Sequence, residues 1–551
     1  MINERADLSA LEGETFDLAV VGGGIMGTGI ARDASLRGLR VLLVEKEDFG
    51  SGTSSRTSRL IHGGLRYLAH LDFKIVRDDL RERTRLLRNA PHLVSPLPCL
   101  IPIYGHGVLD RIILRAGLVI YDLLAWGSGL PRHKWLGCNE ILDSEPGLNP
   151  KGLRGGFLFY DAQAPRVERL CLENALDAVG NGAALVNYTS AIGLIREKGR
   201  VVGLEVEDVA TTKRHQISAR LVVNAAGPWA GLLRDLAGEK SAPMVRTTRG
   251  VHVIVNKSCS NGIVLTARTD GRIFFVLPWL GYSLIGTTDV DYSGDPEHIQ
   301  PDTEDVSYLM DEVKRFFPSL GDNNVLGTYA GLRTLSDSHR GKESDASRRP
   351  KIIDHSAEGV PGLISIVGGK LTAYRQISQA ATDLACSLLD VQRMCLTLDR
   401  PLPGFLGTEL SSLLDGSREL AESYGISKAS GEYLARLYGN RYREVLAMAG
   451  ENPRGRTVLC PHTPAIVAQV RHAVDHEWAR TPADFLLRRT LLGLTPPCFG
   501  LDALSIVIDE MGRCLGWSAE DKCKQKNTYL SNVNHGGWLQ VRNGPKISTD
   551  D

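Results

Sequence analysis

The stretch Phe16–Gly50, FDLAVVGGGIMGTGIARDASLRGLRVLLVEKEDFG, constrains the fold more than any other part of the chain. DLAVV is an apolar run of strand length, and Gly22, Gly24 and Gly27 follow it at G-x-G-x-x-G spacing. IARDASLRG then has helical character, and RVLLVE is a second strand that ends in the acid Glu45. That order predicts a Rossmann-type unit that binds a dinucleotide. Gly22 permits the tight turn, Gly24 lets backbone approach a pyrophosphate, and Gly27 lets helix pack on strand. The helix N-terminus offers bare N–H groups and a partial positive charge to the phosphates. Glu45 is placed to accept from ribose hydroxyls.

Three later segments decide which dinucleotide. GTSSRTSRLIHGG supplies a polar loop with Thr53, Ser54 and Ser55, then Leu60, His62, Gly63 and Gly64. Such a loop can hydrogen-bond along the ribityl and pyrophosphate parts of a long cofactor. ARLVVNAAGPWA reads as a buried strand that breaks into a small-residue turn at Ala226 and Gly227. GLISIVGGKLTAYRQISQAA is a strand, a glycine turn and a helix start, with Gly369, Lys370, Leu371 and Thr372 at the turn. Its helix dipole suits the electron-rich pyrimidine edge of a flavin. A nicotinamide enzyme has little use for so many elements, so the expected cofactor is FAD.

Sixty-four basic and 64 acidic residues cancel, which removes the global field that recruits nucleic acid. The ten cysteines form no C-x-x-C pair, and no metal is expected. The N-terminal MINERADLSALEGETFD lacks an apolar signal core, and no run of about 18 apolar residues predicts a spanning helix. The expected setting is intracellular, with reduced thiols.

GGGIMGTG, TSSRTSRLIHGGLRYL, NAAGPW, GRIFFVLPW, LIGTTDVDY, YAGLRTL and VGGKLTAYR occur in that order, with VDHEWARTPADFLLRRT further on. Together they resemble the FAD-dependent glycerol-3-phosphate dehydrogenase family, and most of all its bacterial aerobic, respiratory branch. The resemblance implies oxidation of sn-glycerol 3-phosphate to dihydroxyacetone phosphate, with electrons passed to quinone at the cytoplasmic membrane face. It implies sn-glycerol 3-phosphate, quinone and the inner face of the cell membrane as partners, with a homodimer left open and no nucleic acid.

A phosphate dianion calls for forked cationic donors, and loss of the C2 hydrogen as hydride calls for a group that takes the hydroxyl proton. The resemblance makes Arg66 a substrate or phosphate ligand with Tyr67 beside it, Gly63 and Gly64 letting the cofactor come close. It places Arg333 near the reacting end and gives Arg348 to the phosphate. The residues after Arg348, Arg349 and Pro350, depart from the family's usual acid and aromatic pair. Lys370, with Thr372 as hydroxyl partner, is suited to charge at the flavin or to substrate. Arg272 lies on the expected cap sheet. Three groups compete for the proton: Arg333, His252, which alternates with Val251 and Val253 along a strand, and His62. The choice stays open at this point.

The expected architecture is α/β plus α: a Rossmann-type FAD-binding domain, an antiparallel-sheet substrate cap and a C-terminal helical domain. The FAD domain is expected at 1–100, 155–245 and 325–395, the cap at 100–155 and 245–325, the helical domain at 405–520, and a loose polar tail at 521–551. Asp110–Trp135, apolar with Arg111, Arg115, Arg132, Trp126 and Trp135, reads as an interfacial membrane helix or as a buried cap helix with a basic end. The alternatives to the quinone-linked enzyme are a soluble oxidase of the same substrate that makes peroxide, an amine-oxidising relative of the glycine- or sarcosine-oxidase type, and a non-catalytic flavin scaffold. The arginine set and Lys370 argue against the amine oxidase, whose substrates carry no phosphate.

Overall fold

A computed structural model describes residues 5–105, 107–238, 244–335, 350–407, 409–534 and 539–541. Thr15–Val21 is the central strand of the first sheet, in the order Lys351–Asp354, Leu363–Val367, Arg214–Asn224, Thr15–Val21, Val41–Val44, Ala184–Val186. All these pairings are parallel except that of the edge strand Lys351–Asp354. DLAVV is apolar throughout because both faces of the strand are covered. Leu18 and Val20 pack with Ile30, Ala34 and Leu172 on the helical side, whereas Ala19 and Val21 pack with Val201, Leu204 and Ile217 on the other. The fingerprint helix, Ile25–Leu36, lies against Val167–Gly180 and Tyr374–Leu388.

The second, cap sheet has eleven strands and is antiparallel except where Gly262–Thr266 runs parallel to Ser95–Tyr104. At its centre Arg246–Asn256 pairs with Val325–Leu335 on one side and with Tyr282–Gly286 on the other. Helix Thr303–Lys314 covers one face. The expected FAD-unit boundaries move here. Leu60–Ile61, Ser95–Tyr104, Leu153–Gln163 and Val325–Leu335 all hydrogen-bond into the cap sheet. Strand pairing, rather than position along the chain, decides membership, and the chain crosses between the sheets at these strands.

The C-terminal part is helical, with Leu410–Ser423, Lys428–Tyr438, Tyr442–Glu451, Ala468–Glu477 and Leu501–Leu515. The expected loose tail is corrected: Ala519–Asn534 is a helix, and Leu539–Val541 pairs with Gly327–Tyr329 at the cap-sheet edge. Two apolar residues at i, i+4, Tyr529 and Val533, are buried and seat this otherwise polar helix. The Tyr529 hydroxyl donates to Phe499 O (3.2 Å).

Val108–Leu124 is a helix with an uncovered apolar face: Leu109 is 68% exposed, Ile112 59%, Ile113 61%, and Trp126 just beyond it 74%. Among the described residues of this helix only Leu118 and Tyr121 are fully buried, so the buried cap helix considered above is not what forms. Arg132 lies over the Trp126 ring and Arg111 over Trp135, at 5.0 and 5.9 Å. Among the described residues no helix is long and apolar enough to cross a membrane.

Candidate active site

A cavity of about 610 Å³ runs from the glycine turn to the cap sheet. At its cofactor end, Gly22 has φ +109°, and a Cβ there would fall 2.7 Å from Ala225 O. Gly27 lies behind the lining, where a Cβ would fall 1.8 Å from Gly22 O, so its role is the helix–strand contact. Gly24, Ala226 and Gly227 line the cavity. The Gly23 and Glu47 N–H groups donate to Glu45 at 2.5 and 2.9 Å, and burial still pushes that carboxyl up to about 7. Ile25 N–H, in the first turn of the fingerprint helix, donates to Ser54 Oγ (2.9 Å). The Thr53 hydroxyl donates to Leu332 O (2.7 Å), tying the loop to the cap strand that carries Arg333.

Two expectations change here. Ser55 turns away from the cavity into its own loop, donating to Ser51 O and Gly52 O. Gly63 and Gly64 do not line the cavity either. A Cβ on Gly63 would fall 2.4 Å from Leu80 and 2.5 Å from the Tyr121 hydroxyl, so protein side chains, rather than cofactor, require the glycine. Gly64 has φ +72° and faces the Tyr67 ring. Leu60, His62, Gly369, Leu371 and Thr372 do line the space. His62 N–H donates to Thr372 Oγ1 (3.0 Å), and Gly64 N–H donates to His62 Nδ1 (3.1 Å), which closes the turn against the next glycine segment.

The cap end of the cavity is lined by Arg66, His252, Arg272, Arg333 and Lys370, drawn from five separate segments. Arg333 is held on three sides: Nη1 donates to Thr288 O (3.0 Å) and Asp289 Oδ1 (2.9 Å), and Nη2 to Thr287 Oγ1 (2.7 Å). Burial lowers its pKa against the pull of Asp289, and Arg272 and Arg66 push the same way. Arg272 Nη1 donates to Asp289 O (2.9 Å). His252 is buried, with Ser58 Oγ 2.8 Å from Nε2 and its ring stacked on Tyr329 at 4.8 Å. Its Nδ1 is buried without a partner. Burial first, then Arg333 and Arg59, hold this imidazole down at about 3, so it is neutral. Lys370 Nζ donates to Asp79 Oδ2 (2.5 Å) and sits 3.9 Å above the Tyr67 ring. Tyr67 itself lies behind the lining, with Arg66 across its ring at 5.1 Å. Arg348 and Arg349 lie outside the described residues.

Sequence reading missed Ser58, Arg59, Asp79 and Asp289. Arg59 forms a two-toothed pair with Glu168 (2.9 Å each), fully buried at φ +59°, which fixes the loop bearing Thr53 and Ser54. The paired acids lie up to some 290 positions from their partners, and no local pattern marks such pairings. Asp289 stood within the quoted LIGTTDVDY, yet only the strand pairing shows it facing Arg333.

The sequence profile of the family described as FAD dependent oxidoreductase matches residues 17–375, and that of the C-terminal domain of alpha-glycerophosphate oxidase matches 395–522. A glycerol-3-phosphate dehydrogenase of Synechocystis is 36% identical, covering 94% of this chain and 96% of that one. The aerobic glycerol-3-phosphate dehydrogenase of Bacillus subtilis is 32% identical, covering 96% and 95%. The chain belongs to the FAD-dependent glycerol-3-phosphate dehydrogenase family. The crystal structure of the Bacillus halodurans member, complexed with FAD, superposes with a TM-score of 0.78 at 30% identity, covering 95% of this chain and 96% of that one.

FAD is the cofactor, and the residues present fit it. Gly24, the N-cap of the fingerprint helix, carries no side chain to bar a phosphate from the helix N-terminus, where Ser54 Oγ accepts from Ile25 N–H. Trp229 Nε1, in the cavity wall, is a buried donor without a protein partner. The lining is continuous from Glu45 past Gly22 to Gly369, as a long cofactor requires.

Proposed function

We propose that the chain oxidises sn-glycerol 3-phosphate to dihydroxyacetone phosphate and passes the electrons to a membrane quinone. The observation that carries the substrate is the cluster of Arg66, Arg272, Arg333 and Lys370 around one end of a flavin cavity. The single carboxylate of glycine or sarcosine needs one cationic partner, whereas a phosphate dianion draws several charged donors. Arg348 is kept as a further phosphate ligand, outside the described residues.

When bound, FAD supplies the acceptor for the substrate's C2 hydride. The chain does the rest. Lys370 and Arg66 hold the phosphate, and each charge-assisted hydrogen bond is worth ~1.5–3 kcal/mol. Arg333, fixed by Asp289, faces the C2 oxygen and stabilises negative charge that develops there. His252 takes the hydroxyl proton. It is neutral and in the cavity wall, held low by its burial first and then by Arg333 and Arg59. A dianionic substrate beside Arg333 offsets that charge, which raises the imidazole's proton affinity when a proton has to move. His62 is assigned to the turn, because its Nδ1 already accepts from Gly64 N–H.

The exposed apolar face of Val108–Leu124, with arginines over Trp126 and Trp135, supports peripheral attachment to the inner face of the cell membrane. The same face argues against the soluble oxidase, which has no use for it. The test is turnover with and without anionic vesicles carrying a short-chain quinone, with peroxide measured in air. Stimulation by vesicles with little peroxide supports the reading, and lipid-independent turnover with one peroxide per substrate would replace it with the oxidase.

A further inference from the structure

Helix Phe73–Asn89 turns a face of buried charge toward the site. Asp79, Glu82 and Arg83 are all buried on it, at helical spacing. Glu82 accepts from Arg375 Nε and Nη2 (2.7 Å each), and Arg83 Nη1 donates to Asp161 Oδ1 and Tyr160 O (2.7 Å each). Both of those tie framework to framework. Asp79 differs, because its partner is the cavity residue Lys370, at 2.5 Å, with side-chain exposures of 6% and 13%.

The geometry continues beyond the pair. Lys370 passes over Gly64, where a Cβ would fall 3.1 Å from Nζ, and its ammonium rests 3.9 Å above the Tyr67 ring. Arg66 lies across that same ring at 5.1 Å. Asp79, Lys370, Tyr67 and Arg66 therefore form one chain of contacts that fixes where two cavity cations sit. A lysine stem has four rotatable carbons, and without a fixed partner its charge samples much of the cavity mouth. Around Asp79, burial first, then Asp78 and Asp161, push the carboxyl up to about 6, while Lys370 opposes that rise. The lysine draws the carboxyl back toward its ionised form, and the acid fixes the place of the ammonium.

We infer that Asp79 is a positioning residue for the reaction: it holds Lys370 against Tyr67 so that Lys370 and Arg66 converge on the substrate phosphate. This rests on the reading of Lys370 as a phosphate ligand, and the test separates the two. A double-mutant cycle compares D79N, K370M and D79N/K370M as FAD-loaded enzymes, with KM and kcat for sn-glycerol 3-phosphate, inorganic phosphate affinity by flavin absorbance perturbation, and the unfolding midpoint. K370M is expected to raise KM about 30-fold with a smaller change in kcat, and D79N to raise it about 10-fold. The double variant is expected to match K370M within about twofold, since Asp79 acts only through Lys370. Phosphate affinity should fall in parallel, and D79E should restore part of the D79N loss. Impaired K370M with a double variant worse by the full D79N factor would overturn the inference and leave the Lys370 reading intact. An unchanged KM in K370M would overturn both. If D79N does not fold, D79E decides: its KM change must vanish in the K370M background.

Discussion

The two ends of one cavity are built in opposite ways. The cofactor end is made largely of backbone and small residues at turns that follow strands, where Gly22, Gly24 and Gly27 matter for the side chains they lack. The substrate end is made of long polar side chains from remote segments, each held by a partner distant in sequence: Arg333 by Asp289, Lys370 by Asp79, His252 by Ser58 and Tyr329. Substitution at the first end should remove the cofactor. At the second it should leave the cofactor and remove turnover.

The largest effect is expected for Gly27→Ala. Its Cβ would meet the backbone oxygen of Gly22 at 1.8 Å, so the turn must open. Overpacking of this kind costs ~1–3 kcal/mol or more, and the purified protein should be nearly colourless, which the flavin-to-protein absorbance ratio checks. Arg333→Ala should keep full flavin content and lose about 10³-fold in kcat/KM, the scale of a lost charge-stabilising group. A comparable loss of flavin in that variant would break the division between the two ends. His252→Asn should lower kcat about 10²–10³-fold with KM little changed, as expected for a lost proton acceptor.

Smaller is the pH response of the apoprotein. Burial raises Glu45 to about 7 from 4.5, so the folded chain binds that proton more tightly than the unfolded one. The sign follows: Glu45 favours folding at low pH and withdraws that support as pH rises from about 4.5 to 7, by up to ~3 kcal/mol. The unfolding midpoint of apo Glu45→Gln should show a flatter slope over that window than the parent. Smallest for chemistry is Ile112→Glu/Ile113→Glu, which should weaken vesicle co-sedimentation about tenfold and leave turnover with a soluble acceptor within twofold.

The same contrast explains what could be read in advance. The fingerprint unit is legible because strand, glycines, helix and acid follow one another, and the periodicity changes where the structure does. Arg66, Arg333 and Lys370 could be named from family motifs and His252 from its place along a strand, and all four line one cavity. Their clamps could not. Asp79 sits in RDDLRERTR, which reads as a solvated helix until tertiary packing buries it. Gly63 was read toward the cofactor, and the space beside it belongs to Leu80 and Tyr121. The C-terminal helix reads as a tail because, among its described residues, few apolar side chains, chiefly Tyr529 and Val533 with Leu530 partly buried, seat it.

The central claim is that a flavin and a phosphate-bearing alcohol meet in this cavity. Anaerobic titration of the yellow protein with sn-glycerol 3-phosphate, followed at the oxidised-flavin absorbance, tests it most directly. Bleaching by this substrate, with none by glycerol, glycine or sarcosine, is the predicted result. Bound flavin that keeps its colour through the titration would contradict the account and return Arg66, Arg333 and Lys370 to structural roles.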